Sequence, residues 1–222
     1  MATNSPLVIG YGGSLAAFDP AVKVKSLPFF ISWVWTWRVN NIDASTRSGY
    51  FLFKALEFGI KNNYFSSDQI QVRLWGLIDK KNEAQVRKFG LEGIVRIEGY
   101  VNRPESEERL RACDVLFLPL ESGTATQPTL FIPGKLFEYL SIAKPVLCFT
   151  RGGDCADILQ KSGLGIITDP KDIPGAAIVL RDLVNKKREG KMYLKADQEY
   201  INQFNFRKLT GKLAAIFDQM LK

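Results

Sequence analysis

Short, solidly apolar runs alternate with longer stretches whose apolar residues recur at helical spacing, about six times along the chain. Leu7–Tyr11 is one such run. It ends at Gly12-Gly13-Ser14 and predicts a buried strand followed by a tight turn. From about Ser45 a helical pattern begins, with Phe51, Leu52, Ala55, Leu56 and Phe58 on one side. Gln71–Trp75 alternates and stops at Gly76, which predicts a second strand; residues 80–90 are polar and helical. Ile94–Ile97 reads as a strand ending at Gly99, Pro104–Ala112 as a polar helix opened by proline, and Val115–Leu118 as a strand stopped by Pro119. A loop over Glu121–Ile132 leads to Pro133 at the first position of a helix that runs to Ala143. Pro145–Phe149 and Leu164–Ile167 are the last two strands, separated by the turn Arg151–Asp154 and a helix over Ala156–Lys161. Residues 173–222 are helical, with breaks near Gly190 and Asn205.

Continuous apolar strands are what a sheet covered on both faces requires. Their alternation with helices predicts an α/β fold: a single Rossmann-like domain with an about six-stranded parallel sheet and helices on both faces. The simplest partition is one domain over 1–222, with an irregular aromatic insertion at about 15–46 and a helical tail at about 173–222. Ligands of such sheets bind beyond the carboxyl ends of the strands. The segments to watch are therefore Gly12–Ser14, Gly76, Gly99–Val101, Glu121–Pro133 and Arg151–Asp154.

Composition narrows the chemistry. The 222 residues include no histidine, which excludes a Ser-His-Asp triad, a Cys-His pair and any His-ligated metal. Cys113, Cys148 and Cys155 show no CxxC spacing, so a disulfide framework or zinc site is not expected and a reducing compartment is the default. The net charge of +7 is compatible with a phosphate-bearing partner. A pI of about 9.3 raises nucleic acid as a partner, but no RRM, KH, helix-turn-helix or zinc pattern supports one. The opening residues carry neither a basic n-region nor a long apolar run, and a cytoplasmic location is the expectation. Leu27–Trp37 is uncharged and aromatic but too short to span a bilayer as a helix; burial under the insertion is the simpler reading. The tail from Lys171 holds eleven basic and six acidic residues, a surplus of five that allows peripheral attraction to an anionic membrane surface.

Two places carry candidate chemistry. Gly12-Gly13-Ser14 at a strand exit can offer amide N–H groups to a phosphate, although neither GxGxxG nor a Walker A loop is present. Alternatively it is a plain strand-ending turn. The stretch Pro133–Val146 (PGKLFEYLSIAKPV) is sharper. Small residues feed a helix N-terminus, whose free amides and dipole favour an anion. Lys135 places a cation there against the dipole, a conflict that a bound anion would remove. Glu138, three residues on, shares its face and can accept two hydroxyl hydrogen bonds, as from a ribose diol. A Lys-Glu surface pair on an ordinary helix is the alternative.

The Pro133–Val146 stretch resembles the C-terminal half of glycosyltransferase family 4, the glycosyl transferases group 1, which are two-domain GT-B enzymes. Tyr11–Leu15, Ile97–Val101, Ala112–Pro119 and Gly152–Asp154 match in order, and Asn41–Ser48 is similar to a segment of some bacterial members. The resemblance covers nearly the whole chain. It implies a nucleotide-sugar donor site: Glu138 on the ribose hydroxyls, Gly99, Tyr100 and Val101 against the base, and Gly12, Gly13, Ser14, Pro133, Gly134 and Lys135 around the diphosphate. A basic residue also belongs beside the diphosphate; Lys23, Lys25 and Arg47 are candidates and Arg47, leading into the helix, is preferred. No cofactor and no metal are implied. The family's first glutamate, two helical turns before the second, has no counterpart, since Leu130 and Phe131 stand there. The chain is also shorter than a whole GT-B enzyme. The expectation is a donor-binding half that lacks its N-terminal Rossmann-like domain, part of an enzyme moving a sugar from a nucleoside-diphosphate sugar to an acceptor hydroxyl. A non-catalytic nucleotide-binding or protein-interaction domain of the same fold is the alternative.

Overall fold

The computed structural model describes residues 5–15, 47–120, 130–192 and 194–221. The aromatic stretch Leu27–Trp37, Lys23, Lys25 and the loop from Glu121 lie outside them.

Six strands form one sheet: β1 (Leu7–Leu15), β2 (Ile70–Ile78), β3 (Val95–Glu98), β4 (Val115–Pro119), β5 (Val146–Phe149) and β6 (Gly165–Thr168). All neighbours are parallel, in the order β3-β2-β1-β4-β5-β6. The helices are α1 (Tyr50–Lys61), α2 (Lys80–Lys88), α3 (Arg103–Ala112), α4 (Gly134–Ile142), α5 (Asp154–Lys161), α6 (Ile173–Arg188), α7 (Gln198–Ile201) and α8 (Phe206–Met220). The doubly wound architecture read from the sequence is therefore the one observed.

The sheet separates two cores. Alternate residues Val115 and Phe117 of β4 pack with Leu7, Ile9 and Tyr11 of β1 against α1 and α6. Leu116 and Leu118 face the other way, onto α3, α4 and α5, with Trp75, Leu136, Tyr139, Leu140 and Leu159. The three cysteines sit in this second core, fully buried and free. They act as small apolar filler; burial pushes the Cys113 thiol up to about 11.

Two turns expected from glycine are not turns. β1 continues through Gly12-Gly13-Ser14 to Leu15, and β2 through Gly76 to Ile78, paired residue for residue with Gly13 opposite Gly76. Gly76 has φ +110°, and a Cβ there would lie 2.3 Å from the Gly13 carbonyl oxygen. Glycine at 76 makes room for the backbone of residue 13, while a Cβ on Gly13 would instead meet the Lys135 ammonium at 2.7 Å, so the ladder survives glycines that read as punctuation in either strand alone. Pro133 likewise is the N-cap of α4, extended at ψ 144°, and Gly134 is the first helical residue. The tail breaks where expected. Gly190 takes φ +68° after α6, and Asn205 caps α8 by accepting a hydrogen bond from the Arg207 amide at 3.0 Å. All of α8 is exposed, including Phe206, Leu213 and Met220.

Candidate functional site

The chain leaves β1 toward β2 and β3, then returns to the other side of β1 as β4. This reversal is the switch point at which open parallel sheets leave a crevice. The pairing shows it directly: β1 meets β4 only at Ile9 and Gly10 but follows β2 to its end. Beyond Gly10 one edge of β1 is free of the sheet. A cavity of about 430 Å³ opens there between the ends of β1 and β2, the β3–α3 loop and the first turn of α4.

Helix α4 starts at this mouth because Pro133 cannot continue an amide ladder and Gly134 follows it. Among the described residues no side chain caps the helix, and no acidic residue lies in its first turn, so the positive end of its dipole faces the cavity. Leu136, Tyr139 and Leu140 anchor the opposite face in the core. That anchoring turns Lys135 and Glu138 to the crevice, with Nζ 3.8 Å from Oε2. The Lys135 ammonium also donates to the Gly12 carbonyl, and it lies 5.2 Å from the Tyr11 ring centroid and 5.7 Å from that of Tyr139. Burial lowers the Lys135 pKa, and Glu138 opposes that only in part. The same burial pushes the Tyr11 phenol up to about 12 against the pull of Arg47, and raises that of Tyr139 well above its ordinary range. The site thus holds a poorly solvated cation beside an open helix N-terminus, an arrangement that an anion would relieve.

The structure brings Gly12, Gly13, Ser14, Tyr100, Val101, Gly134, Lys135 and Glu138 together around this one cavity. Three other residues singled out in the sequence do not line it. Gly99 stands behind the wall, its carbonyl accepting from the Gly76 amide at 3.2 Å. Pro133 is the cap before α4. Arg47 is exposed, with its guanidinium 5.3 Å from the Phe131 ring centroid.

Five further residues complete the lining: Trp75, Gly76, Leu77, Arg103 and Ser106. Trp75 is the buried floor, and its indole N–H donates to Ser106 Oγ at 2.9 Å. A Cβ on Gly12 would come within 2.3 Å of that indole nitrogen, so the floor demands glycine at position 12. Leu77 and Arg103 lie just past segments already marked as strand exits, and reading one residue further past Gly76 and two past Val101 would have found them. Among the described residues no three His, Cys, Asp or Glu side chains gather to hold a metal ion. No described helix is long and apolar enough to cross a membrane.

Comparison with known proteins agrees with this architecture. Residues 47–186 match the family model of the glycosyl transferases group 1. Among solved structures the chain is similar to Anabaena Alr3699/HepE in complex with UDP and glucose (17% identity, 97% of this chain and 49% of that one, TM-score 0.57). It is also similar to a sucrose-phosphate synthase from Thermosynechococcus elongatus (15% identity, 98% and 46% covered, TM-score 0.57). A third is an S. aureus TarM variant in complex with fondaparinux, alpha-GlcNAc-glycerol and UDP (15% identity, 98% and 37% covered, TM-score 0.54). At these identities the likeness is one of fold, and the chain spans about half the length of those structures or less. No curated protein matches the sequence. The sheet order is that of one Rossmann-like half of a GT-B glycosyltransferase, and the family match extends over more than half of the residues; the chain belongs to the glycosyl transferases group 1 family.

Proposed function

We propose that this chain is the donor-binding half of a glycosyltransferase that moves a sugar from a nucleoside-diphosphate sugar to an acceptor hydroxyl. The observation that carries the reading is the pairing of Lys135 and Glu138 on the uncapped first turn of α4, facing Gly12 and Gly13 across the switch-point crevice. In this reading the diphosphate takes the α4 amides and the Lys135 ammonium, which leaves the Gly12 carbonyl for the phosphate oxygens. Glu138 accepts the ribose hydroxyls. The Gly13–Gly76 pair keeps side chains out of the path. Charge develops on the departing diphosphate during transfer. A cation and helix dipole already fixed there would stabilise it without reorganisation and without a metal ion. Acceptor binding and exclusion of water would come from a second Rossmann-like domain. The UDP complexes of the Anabaena and S. aureus structures support the nucleotide part of the proposal.

Calorimetry with UDP, GDP and ADP, with and without EDTA, tests it. At least one should bind, with EDTA making no difference. Failure of all three removes the reading, and loss with EDTA removes its metal-free chemistry. A non-catalytic nucleotide-binding domain is the second reading. It is favoured by exposed Leu130 and Phe131 at the place of the family's first glutamate. Sugar transfer by this chain joined to a partner domain, assayed beside the partner domain alone, separates the two.

A further inference from the structure

We infer that the rings of Tyr11 and Tyr139 form an uncharged seat that keeps the Lys135 ammonium in place and protonated before a ligand arrives, which makes both tyrosines positioning residues for the donor site. This rests on the reading that a nucleoside diphosphate occupies the crevice.

The seat takes one ring from each core. Tyr11 belongs to the core beneath α1 and α6, and Tyr139 to the core beneath α3, α4 and α5. Both rings reach the same ammonium, with Nζ 5.2 Å from the Tyr11 centroid and 5.7 Å from that of Tyr139. A cation within about 6 Å of an aromatic face is attracted by the negative charge of that face. The rings themselves are fixed. The Tyr11 hydroxyl reaches past Gly12 and Gly13 to donate to the Ser14 carbonyl, and the Tyr11 ring meets Phe117 edge-on at 6.3 Å. The Tyr139 hydroxyl donates to the Phe117 carbonyl at 3.2 Å. Lys135 donates to the Gly12 carbonyl and, among the described residues, to neither tyrosine hydroxyl. Its contact with the tyrosines is therefore through their faces.

An uncharged seat solves a problem that a carboxylate would not. Burial disfavours the ammonium form of Lys135. A second carboxylate would answer that, but it would also cancel the positive potential and compete with an incoming anion. An aromatic face holds the cation without net charge of its own, so the charge of Lys135 stays available to a ligand. The charged groups around Lys135 leave this task to the rings. Among the described residues Glu138, on α4, is the carboxylate beside it, at a loose 3.8 Å. Arg103, on α3, lines the same cavity, and Arg47, before α1, bears on Tyr11. Both are cations, which oppose the proton on Lys135 rather than hold it.

The test changes the charge on the ring face and leaves its shape. Tyr11→Phe keeps the ring; Tyr11→pentafluorophenylalanine keeps nearly the same shape but strips the face of its negative charge. Ser14 is exposed, so water replaces the lost hydroxyl in both and both should fold. The Lys135 pKa is read in the full chain by NMR of isotope-labelled lysine, its signal identified by its loss in Lys135→Met. Tyr11→Phe should leave that pKa unchanged. The fluorinated ring should lower it by about half a pH unit, the worth of one cation–π contact. The same exchange at Tyr139, whose ring is farther from Nζ, should lower it by less. Calorimetry with UDP, GDP and ADP then follows the tightest of the three across alkaline pH. Affinity for it should be up to about threefold weaker with the fluorinated ring where Lys135 titrates, and equal where Lys135 is charged with either ring. In a Lys135→Met background fluorination should change nothing. An unshifted pKa overturns the inference and leaves the donor-site reading intact. So does a loss of affinity that is the same at every pH or that survives Lys135→Met, since the ring would then act by packing or on the ligand itself. If none of the three nucleotides binds the unaltered chain, the donor-site reading falls and the positioning role falls with it, whatever the pKa does.

Discussion

Two crevices open along the carboxyl edge of the same sheet. One lies at β1, β2 and α4; the other lies at β5, β6 and the start of α5. Both are lined by glycines near the carboxyl ends of strands, and the second is the larger at about 690 Å³ against 430 Å³. Their charge is opposite in character. At α5 the first turn carries Asp154 and Asp157, which already answer the helix dipole. Arg151, the cation of that crevice, is held by Asp169 at 3.0 Å. At α4 no acidic residue lies in the first turn, and a half-buried lysine is only partly answered by Glu138. Glycine near a strand's carboxyl end and a roomy cavity are thus shared by both. What sets the smaller crevice apart, and motivates the proposed anion site, is a cation that Glu138 answers only in part beside a first turn without an acidic side chain.

The two crevices should break differently when their glycines are changed, and this is the largest effect expected. Gly76 and Gly152 both have positive φ, +110° and +114°. A Cβ on Gly76 would strike the Gly13 carbonyl at 2.3 Å, whereas one on Gly152 meets nothing within 4 Å. Gly152→Ala should therefore cost backbone strain alone, about 1 kcal/mol, and Gly76→Ala about 3 kcal/mol or more, since the β1–β2 ladder must part. Urea denaturation measures both. Equal losses would mean that the close approach of the two strands is not what fixes glycine at 76.

Removing the cation from each crevice should separate binding from stability. Lys135→Met should lower nucleotide affinity at least tenfold, roughly the worth of one hydrogen bond to a charged group. It should leave the unfolding midpoint unchanged or higher, because the fold no longer buries an ammonium. Arg151→Met should leave affinity alone and change stability by less than about 1 kcal/mol, as for other half-exposed ion pairs. If the two variants bind nucleotide equally well, the contrast between the crevices has no functional meaning.

A smaller loss is expected at Glu138. Glu138→Gln should weaken ribonucleotide binding by about 1–3 kcal/mol with the fold intact. A 2′-deoxynucleotide, lacking one of the hydroxyls, should lose less. The same loss for both sugars would place Glu138 elsewhere than on the ribose.

The sequence revealed some parts of this site and hid others for physical reasons. The α4 turn was legible because its elements are local: a proline that must precede the helix, a glycine, and Lys135 and Glu138 at helical spacing. The six strands were legible because burial on both faces leaves unbroken apolar runs. The extensions of β1 and β2 were not, since each glycine looks like a stop until its partner strand supplies another glycine opposite. The Trp75–Ser106 floor joins residues 31 apart through the packing of α3 on the sheet, and no periodicity encodes that. Arg47 precedes α1 as the sequence suggests, but its contact with Phe131 joins residues far apart along the chain, which composition does not reveal.

The finest test of the contrast between the crevices is the sign of two pH dependences that arise from one lysine. Burial lowers the Lys135 pKa from its ordinary 10.5 in the folded protein, while in the unfolded chain it returns to that value. Between the lowered value and 10.5 the unfolded state binds more protons, so ligand-free stability should rise as pH increases through that window. Nucleotide affinity should run the other way. A diphosphate beside Lys135 raises its pKa, so binding must take up a proton once the free protein has begun to lose it. Affinity is then full where Lys135 is charged in both states, and it falls as pH rises through the free protein's pKa. Calorimetry in two alkaline buffers of different ionisation enthalpy would read the uptake as up to about one proton per nucleotide. Lys135→Met should flatten both profiles and Arg151→Met neither. Binding with no proton uptake, or with release, would mean that the diphosphate does not lie against Lys135, and that the buried cation belongs to the fold rather than to the ligand.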